Sequence, residues 1–172
     1  MNFISKNRYW ITAALVISIA AISSIYKRTP APRQSAPDVS LSLLDGSKPK
    51  LASYKGSNVL AVFWSVSCRV CAEEIPHLNT LHKQREQNNL VVLGINMPYD
   101  RPDWTVSFVK SRAMLYPVSF DLKGEIARAF GGIQLTPTVV LIDSKGRIVW
   151  KRTGRTDFDK LNKTIASLNN ET

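Results

Sequence analysis

The run Val59-Leu60-Ala61-Val62-Phe63-Trp64 is apolar on both of the faces a strand would present. A strand with no polar side must lie in the middle of a sheet covered above and below, so the chain needs helices on both faces. Leu90-Val91-Val92-Leu93-Gly94-Ile95 repeats the pattern, and a helix from about Arg69 to Gln87 separates the two. Asn96 to Pro102 reads as a loop, and Asp103 is placed to cap a helix through about Met114. Val118-Ser119-Phe120 reads as a short strand, followed by a short helix from Lys123 to Phe130 that stops at Gly131-Gly132. Thr138 to Ile142 and Arg147 to Lys151 read as strands joined by the turn Asp143-Ser144-Lys145-Gly146. Asp157 opens a last helix with Phe158, Leu161, Ile165 and Leu168 at helical spacing. Ahead of the core, Val39 to Leu44 alternates, Asp45-Gly46 marks a turn, and an extended piece begins at Leu51, which predicts a β-hairpin. The expected architecture is α/β, a central mixed β-sheet flanked by helices.

Residues 9–26, from Tyr9 to Tyr26, carry no charge over eighteen positions. As a helix they span roughly 27 Å, just enough for a hydrocarbon core. Tyr9, Trp10 and Tyr26 sit at the ends, where amphipathic rings favour the membrane interface. The run is longer than a usual signal-peptide core, so it is expected to remain as a transmembrane signal-anchor after a short tail, residues 1–8. No cysteine follows the run at lipoprotein spacing. Residues 27–37 hold three prolines and no apolar period, a semi-stiff linker, which leaves 38–172 as the folded domain. Of the net charge of +10, five units lie before residue 36. The one dense basic group in the domain is Lys145, Arg147, Lys151, Arg152 and Arg155, around Trp150. It carries no nucleic-acid motif and reads as a solvated face, so no nucleic-acid partner is expected.

The chain has two cysteines, Cys68 and Cys71, and their C-x2-C spacing falls between a buried strand and a helix. At that helix N-terminus the dipole and free N–H groups favour a Cys68 thiolate, and Cys71 one turn on can reach its sulfur. That placement marks a redox pair. Lowering the Cys68 pKa from ~8.5 to ~7 gains only about threefold in attack rate, because the weaker nucleophile offsets most of the extra thiolate. Geometry therefore matters more than acidity, with Arg69 as an added cationic aid. A metal site is disfavoured: His77 lies about 120° from Cys71 on a helical wheel, and His82 is the one other imidazole. On the same wheel Glu74 shares the face of Cys71, Ile75, Leu78 and Leu81, whereas Glu73 points the opposite way. Burial is expected to raise the Glu74 pKa and suit it to exchange a proton with Cys71. Pro76, inside the helix, removes one backbone bond.

These residues resemble the TlpA/ResA group of thioredoxin-like proteins over about residues 36–170. The matching pieces are Ala36-Pro37-Asp38, Asp45-Gly46, Lys55-Gly56, Phe63-Trp64, Cys68-x-x-Cys71-x-x-Glu74-x-Pro76, Thr136-Pro137-Thr138 and Ile142-Asp143-x-x-Gly146. The hairpin before the core and an insert at about 96–120 are similar too. The resemblance implies a thioredoxin-like fold and a membrane-held thiol–disulfide oxidoreductase, with its catalytic domain on the outer side of a bacterial cytoplasmic membrane. It implies a cis Thr136-Pro137 bond beside the dithiol and a working glutamate at Glu74. It implies that Trp64, Ser67, Thr136 and Pro137 face substrate and that Arg69 and Val70 tune the thiol. No cofactor beyond the disulfide is implied. Implied partners are disulfide-bearing proteins of cytochrome c maturation or oxidase copper-site assembly, and a membrane electron carrier of the CcdA/DsbD type. Two departures stand out: Ser67 replaces the group's usual Trp before the first cysteine, and Arg69-Val70 replaces the common x-Pro pair. A dithiol oxidase of the same fold is the nearest competitor. A copper-binding assembly factor would want C-x3-C and a distal histidine, and a peroxidase a proline shortly before the first cysteine; the chain has none of these.

Overall fold

A computed structural model describes Ser18 and residues 34–170. The chain divides into two compact units at Arg33 and Gln34, and the second holds all the elements below. The expected membrane-spanning run 9–26, apart from Ser18, and the first part of the linker lie outside the described residues. Among the described residues no helix is long and apolar enough to cross a membrane.

Six strands form one mixed sheet: β1 (Ser42–Leu43), β2 (Asn58–Trp64), β3 (Leu90–Asn96), β4 (Val118–Phe120), β5 (Thr138–Ile142) and β6 (Ile148–Thr153), in the order β1-β4-β3-β2-β5-β6. β2, β3 and β4 run parallel, while β1, β5 and β6 pair antiparallel with their neighbours. The helices are α1 (Arg69–Lys83), α2 (Pro102–Ser111), α3 (Glu125–Ala129) and α4 (Phe158–Asn170). Every residue of β2 is buried, as its two-faced apolar run requires. Leu60, Val62 and Trp64 turn to one side and meet α1 and α4 through Ile75, Leu78, Leu161 and Ile165. Val59, Ala61 and Phe63 turn to the other side, against Ile126 and Phe130 at α3.

Three expectations are corrected at the edges of elements. The second arm of the N-terminal hairpin is not a strand from Leu51: Leu51–Tyr54 is a turn of 3-10 helix, and the arm is held by a single bridge between Ser40 and Lys50 and by Leu41 N donating to Pro49 O. Pro49 has no N–H to return, so a regular ladder cannot form there. Helix α1 stops at Lys83, because 84–89 fold back as turns and Asn89 takes φ 42°. Asp103 does not cap α2; Pro102 occupies the first turn, and Asp103 pairs instead with Arg101 at 2.8 Å. Ahead of β1, Ala36 N donates to Gly146 O and Ile148 N donates to Gln34 O, so residues 34–36 lie along the rim of β6.

Candidate active site

β2 ends at Trp64, and after four residues α1 begins with Cys68 as its N-cap. Cys68 and Cys71 are joined in a disulfide with S–S 2.06 Å and Cα–Cα 5.3 Å. The Cys71 N–H donates to Cys68 Sγ at 3.1 Å, so a free backbone donor of the first helical turn already points at the first sulfur. The two sulfurs differ in access. Cys68 is half-buried, whereas Cys71 is 5% exposed and sits in the apolar layer with Ile75 and Leu78. Cys68 is the more accessible of the two sulfurs.

One turn below, Glu74 is 2% exposed. Its Oε1 accepts the Thr156 N–H at 2.6 Å and its Oε2 accepts the Thr156 hydroxyl at 3.1 Å. Burial raises the Glu74 pKa above its ordinary value, partly opposed by the Thr156 bonds and by the charges of Arg155 and His77. Cys71, Glu74, Trp64, Ile75, Met114 and Tyr116 line one crevice. The Tyr116 phenol is pushed far above its usual range by burial and by the charge of Glu74. Glu73, on the other side of α1, bridges Arg69 at 3.0 Å and Arg155 at 2.6 Å, and those two guanidinium groups hold its pKa down. One helix thus carries two adjacent acids in opposite environments, one shifted up and the other down, because the wheel turns them to opposite sides.

Thr136-Pro137 is a cis peptide, and Pro137 is buried, its carbonyl accepting the Gly154 N–H at 2.8 Å. Ser67 is exposed beside Cys68. Trp64 is 2% exposed and stacked on Phe108 with ring centroids 5.3 Å apart, on the sheet face it shares with Leu60 and Val62. Its Nε1 finds no hydrogen-bond partner among the described residues. Arg69 is open to solvent, its side chain 92% exposed, and its guanidinium is engaged with Glu73. His77 stacks on Phe158 at 4.6 Å, joining α1 to α4. Within the basic group, Arg147 pairs with Asp143, Lys151 donates to Phe130 O, Arg152 donates to Arg155 O and Arg155 meets Glu73, so four of these five cations are engaged within the domain.

Sequence patterns missed Thr156, Tyr116 and a polar knot beneath the dithiol. In that knot Asp100, 9% exposed, accepts from Ser65 Oγ at 2.9 Å, Val66 N at 2.9 Å and Asn96 Nδ2 at 2.7 Å. Asn96 in turn accepts from Thr105 Oγ1 at 2.8 Å. Single polar residues in a loop have no periodicity to reveal them.

Residues 32–151 match the AhpC/TSA family. The chain belongs to that family. Within it, the chain is 29% identical to the thiol-disulfide oxidoreductase ResA of Bacillus thuringiensis subsp. konkukian over 136 residues, 78% of this chain and 77% of that protein. It is 28% identical to ResA of Geobacillus thermodenitrificans over 157 residues, 91% of this chain and 88% of that protein. A crystal structure of a thiol:disulfide interchange protein of the thioredoxin family from Chlorobium tepidum TLS superposes with a TM-score of 0.72 at 25% identity, covering 81% of this chain and 99% of that one. The fold is thioredoxin-like, and this AhpC/TSA-family member is a thiol–disulfide oxidoreductase working through Cys68 and Cys71.

Proposed function

We propose that the protein is a reductant of protein disulfides, held by residues 9–26 on the outer side of a bacterial cytoplasmic membrane. Its clients on this reading are proteins of cytochrome c maturation or oxidase copper-site assembly, and a CcdA/DsbD-type carrier in the membrane restores its dithiol. The observation that carries the reading is the accessible Cys68 paired with a buried Cys71 whose crevice contains the buried acid Glu74.

The chemistry runs in two exchanges. Cys68 thiolate attacks one sulfur of the client disulfide, and the client's other sulfur leaves as a thiolate. Glu74 then takes the Cys71 proton, and the new Cys71 thiolate attacks Cys68 Sγ in the mixed disulfide. The client's first sulfur is expelled, its disulfide is reduced by two electrons, and Cys68–Cys71 is oxidised. The environment also favours the reducing direction. A carboxylate sharing the crevice of Cys71 disfavours a second negative charge there, and a dithiol form that is less stabilised donates electrons more readily.

A redox titration of the full-length protein in detergent tests the direction. A midpoint of ~−250 mV or lower supports a reductase, and one near ~−120 mV overturns it in favour of an oxidase. A Cys71→Ser variant expressed in cells is expected to retain clients as mixed disulfides through Cys68. Recovery of no such adducts, alongside an unchanged phenotype, would sink the client scheme.

A further inference from the structure

We propose that Asp100 is a positioning residue for Cys68, clamping the loop that carries the attacking sulfur. The loop Ser65-Val66-Ser67 crosses from β2 to α1 outside any ladder, so its backbone N–H groups need other partners. Val66 N donates to Asp100 Oδ2 at 2.9 Å, Ser67 N donates to Ser65 Oγ at 3.3 Å, and Cys68 N donates to Ser65 O at 3.1 Å. Ser65 is itself fixed by its hydroxyl, which donates to Asp100 Oδ1 at 2.9 Å. All three N–H groups leading to Cys68 are therefore held by Asp100, either directly or through Ser65.

Asp100 is anchored in turn from behind. Its Oδ2 also accepts from Asn96 at the end of β3, and Asn96 is locked by Thr105 of α2, which is fully buried. The clamp thus joins the cysteine loop to two rigid elements. Ser67 Oγ lies 3.0 Å from Ser65 Oγ. A carboxylate has no hydrogen to give, so the Ser65 hydroxyl hydrogen is committed to Asp100. Ser67 must then be the donor in that contact, which adds a further link from the loop to the clamp.

The proposal takes from the reading above only that Cys68 is the attacking sulfur. Its test compares Asp100→Ala and Asp100→Asn in the full-length protein, at temperatures where circular dichroism shows each folded. Two rates are read: iodoacetamide alkylation of Cys68 in the reduced protein, and kcat/KM on a peptide disulfide. Asparagine can keep the clamp. Its Oδ1 accepts from Val66 and Asn96, and its Nδ2 donates to the Ser65 hydroxyl. Asp100→Asn is therefore expected within about threefold of wild type on both rates, while Asp100→Ala loses about tenfold to a hundredfold in kcat/KM and shifts alkylation by about fivefold or more. Wild-type rates in Asp100→Ala overturn the proposal, and so does an Asp100→Asn variant as impaired as the alanine. Should Asp100→Ala not fold, Ser65→Ala removes one arm of the clamp and is expected to lose about threefold or more in kcat/KM; an unchanged rate there refutes the clamp. Failure of the wild-type protein to reduce any disulfide defeats the reductase reading instead, and the alkylation rates still decide this one.

Discussion

Replacing Glu74 with glutamine separates the chemical role of this acid from its structural one. The side chains are nearly the same size, and glutamine can keep both contacts to Thr156: Oε1 still accepts the Thr156 N–H, and Nε2 donates to the hydroxyl that now donates to Oε2. What disappears is a proton acceptor facing the crevice of Cys71. A thiol of pKa ~8.5 is only about 3% ionised at pH 7, so a base that delivers the thiolate on demand accelerates resolution by at most about thirtyfold. Glu74→Gln is therefore expected to slow stopped-flow turnover of a peptide disulfide by about tenfold to thirtyfold at pH 7. The deficit closes as pH rises and the thiol ionises unaided. Stability moves the other way. The Glu74 pKa is raised on folding, so its favourable contribution is complete below the ordinary value of 4.5 and is lost as pH climbs through the raised value. The variant escapes that loss, so its melting temperature should match wild type near pH 4 and exceed it at pH 8. An undiminished rate at pH 7, or a melting difference that does not change with pH, would refute the assignment.

Other perturbations test the scaffold. Alanine at Gly94 would place a Cβ 3.0 Å from Trp64 Nε1 and 3.2 Å from Tyr116 Cε2, so Gly94→Ala should cost about 1–3 kcal/mol in a denaturant titration. Asp121 accepts from Ile126 N at 3.0 Å and Ala127 N at 2.8 Å, capping a short helix that has no other side-chain cap. Asp121→Ala should cost about 1–2 kcal/mol by the same titration. Glu73→Gln cuts an exposed pairing to two arginines, and it should shift the melting midpoint by less than about 2 °C and leave turnover within about twofold of wild type.

The sequence by itself determined the sheet centre, the dithiol and the choice between two adjacent acids. Each follows from a local period: an apolar run on both faces places β2, and the helical wheel that sends Glu74 inward with Cys71 sends Glu73 to the arginines. Tertiary structure alone decided what surrounds those residues. Glu74 meets Thr156 across 82 positions, and Val66 meets Asp100 across 34, separations at which no periodicity in the chain links partner to partner. It also decided that Trp64, at the end of β2, is buried against Phe108 of α2. Side-chain direction is set within an element and can be read along the chain. A contact between elements depends on how the sheet orders its strands, and Asp100 reaches the loop before Cys68 because β3 lies beside β2.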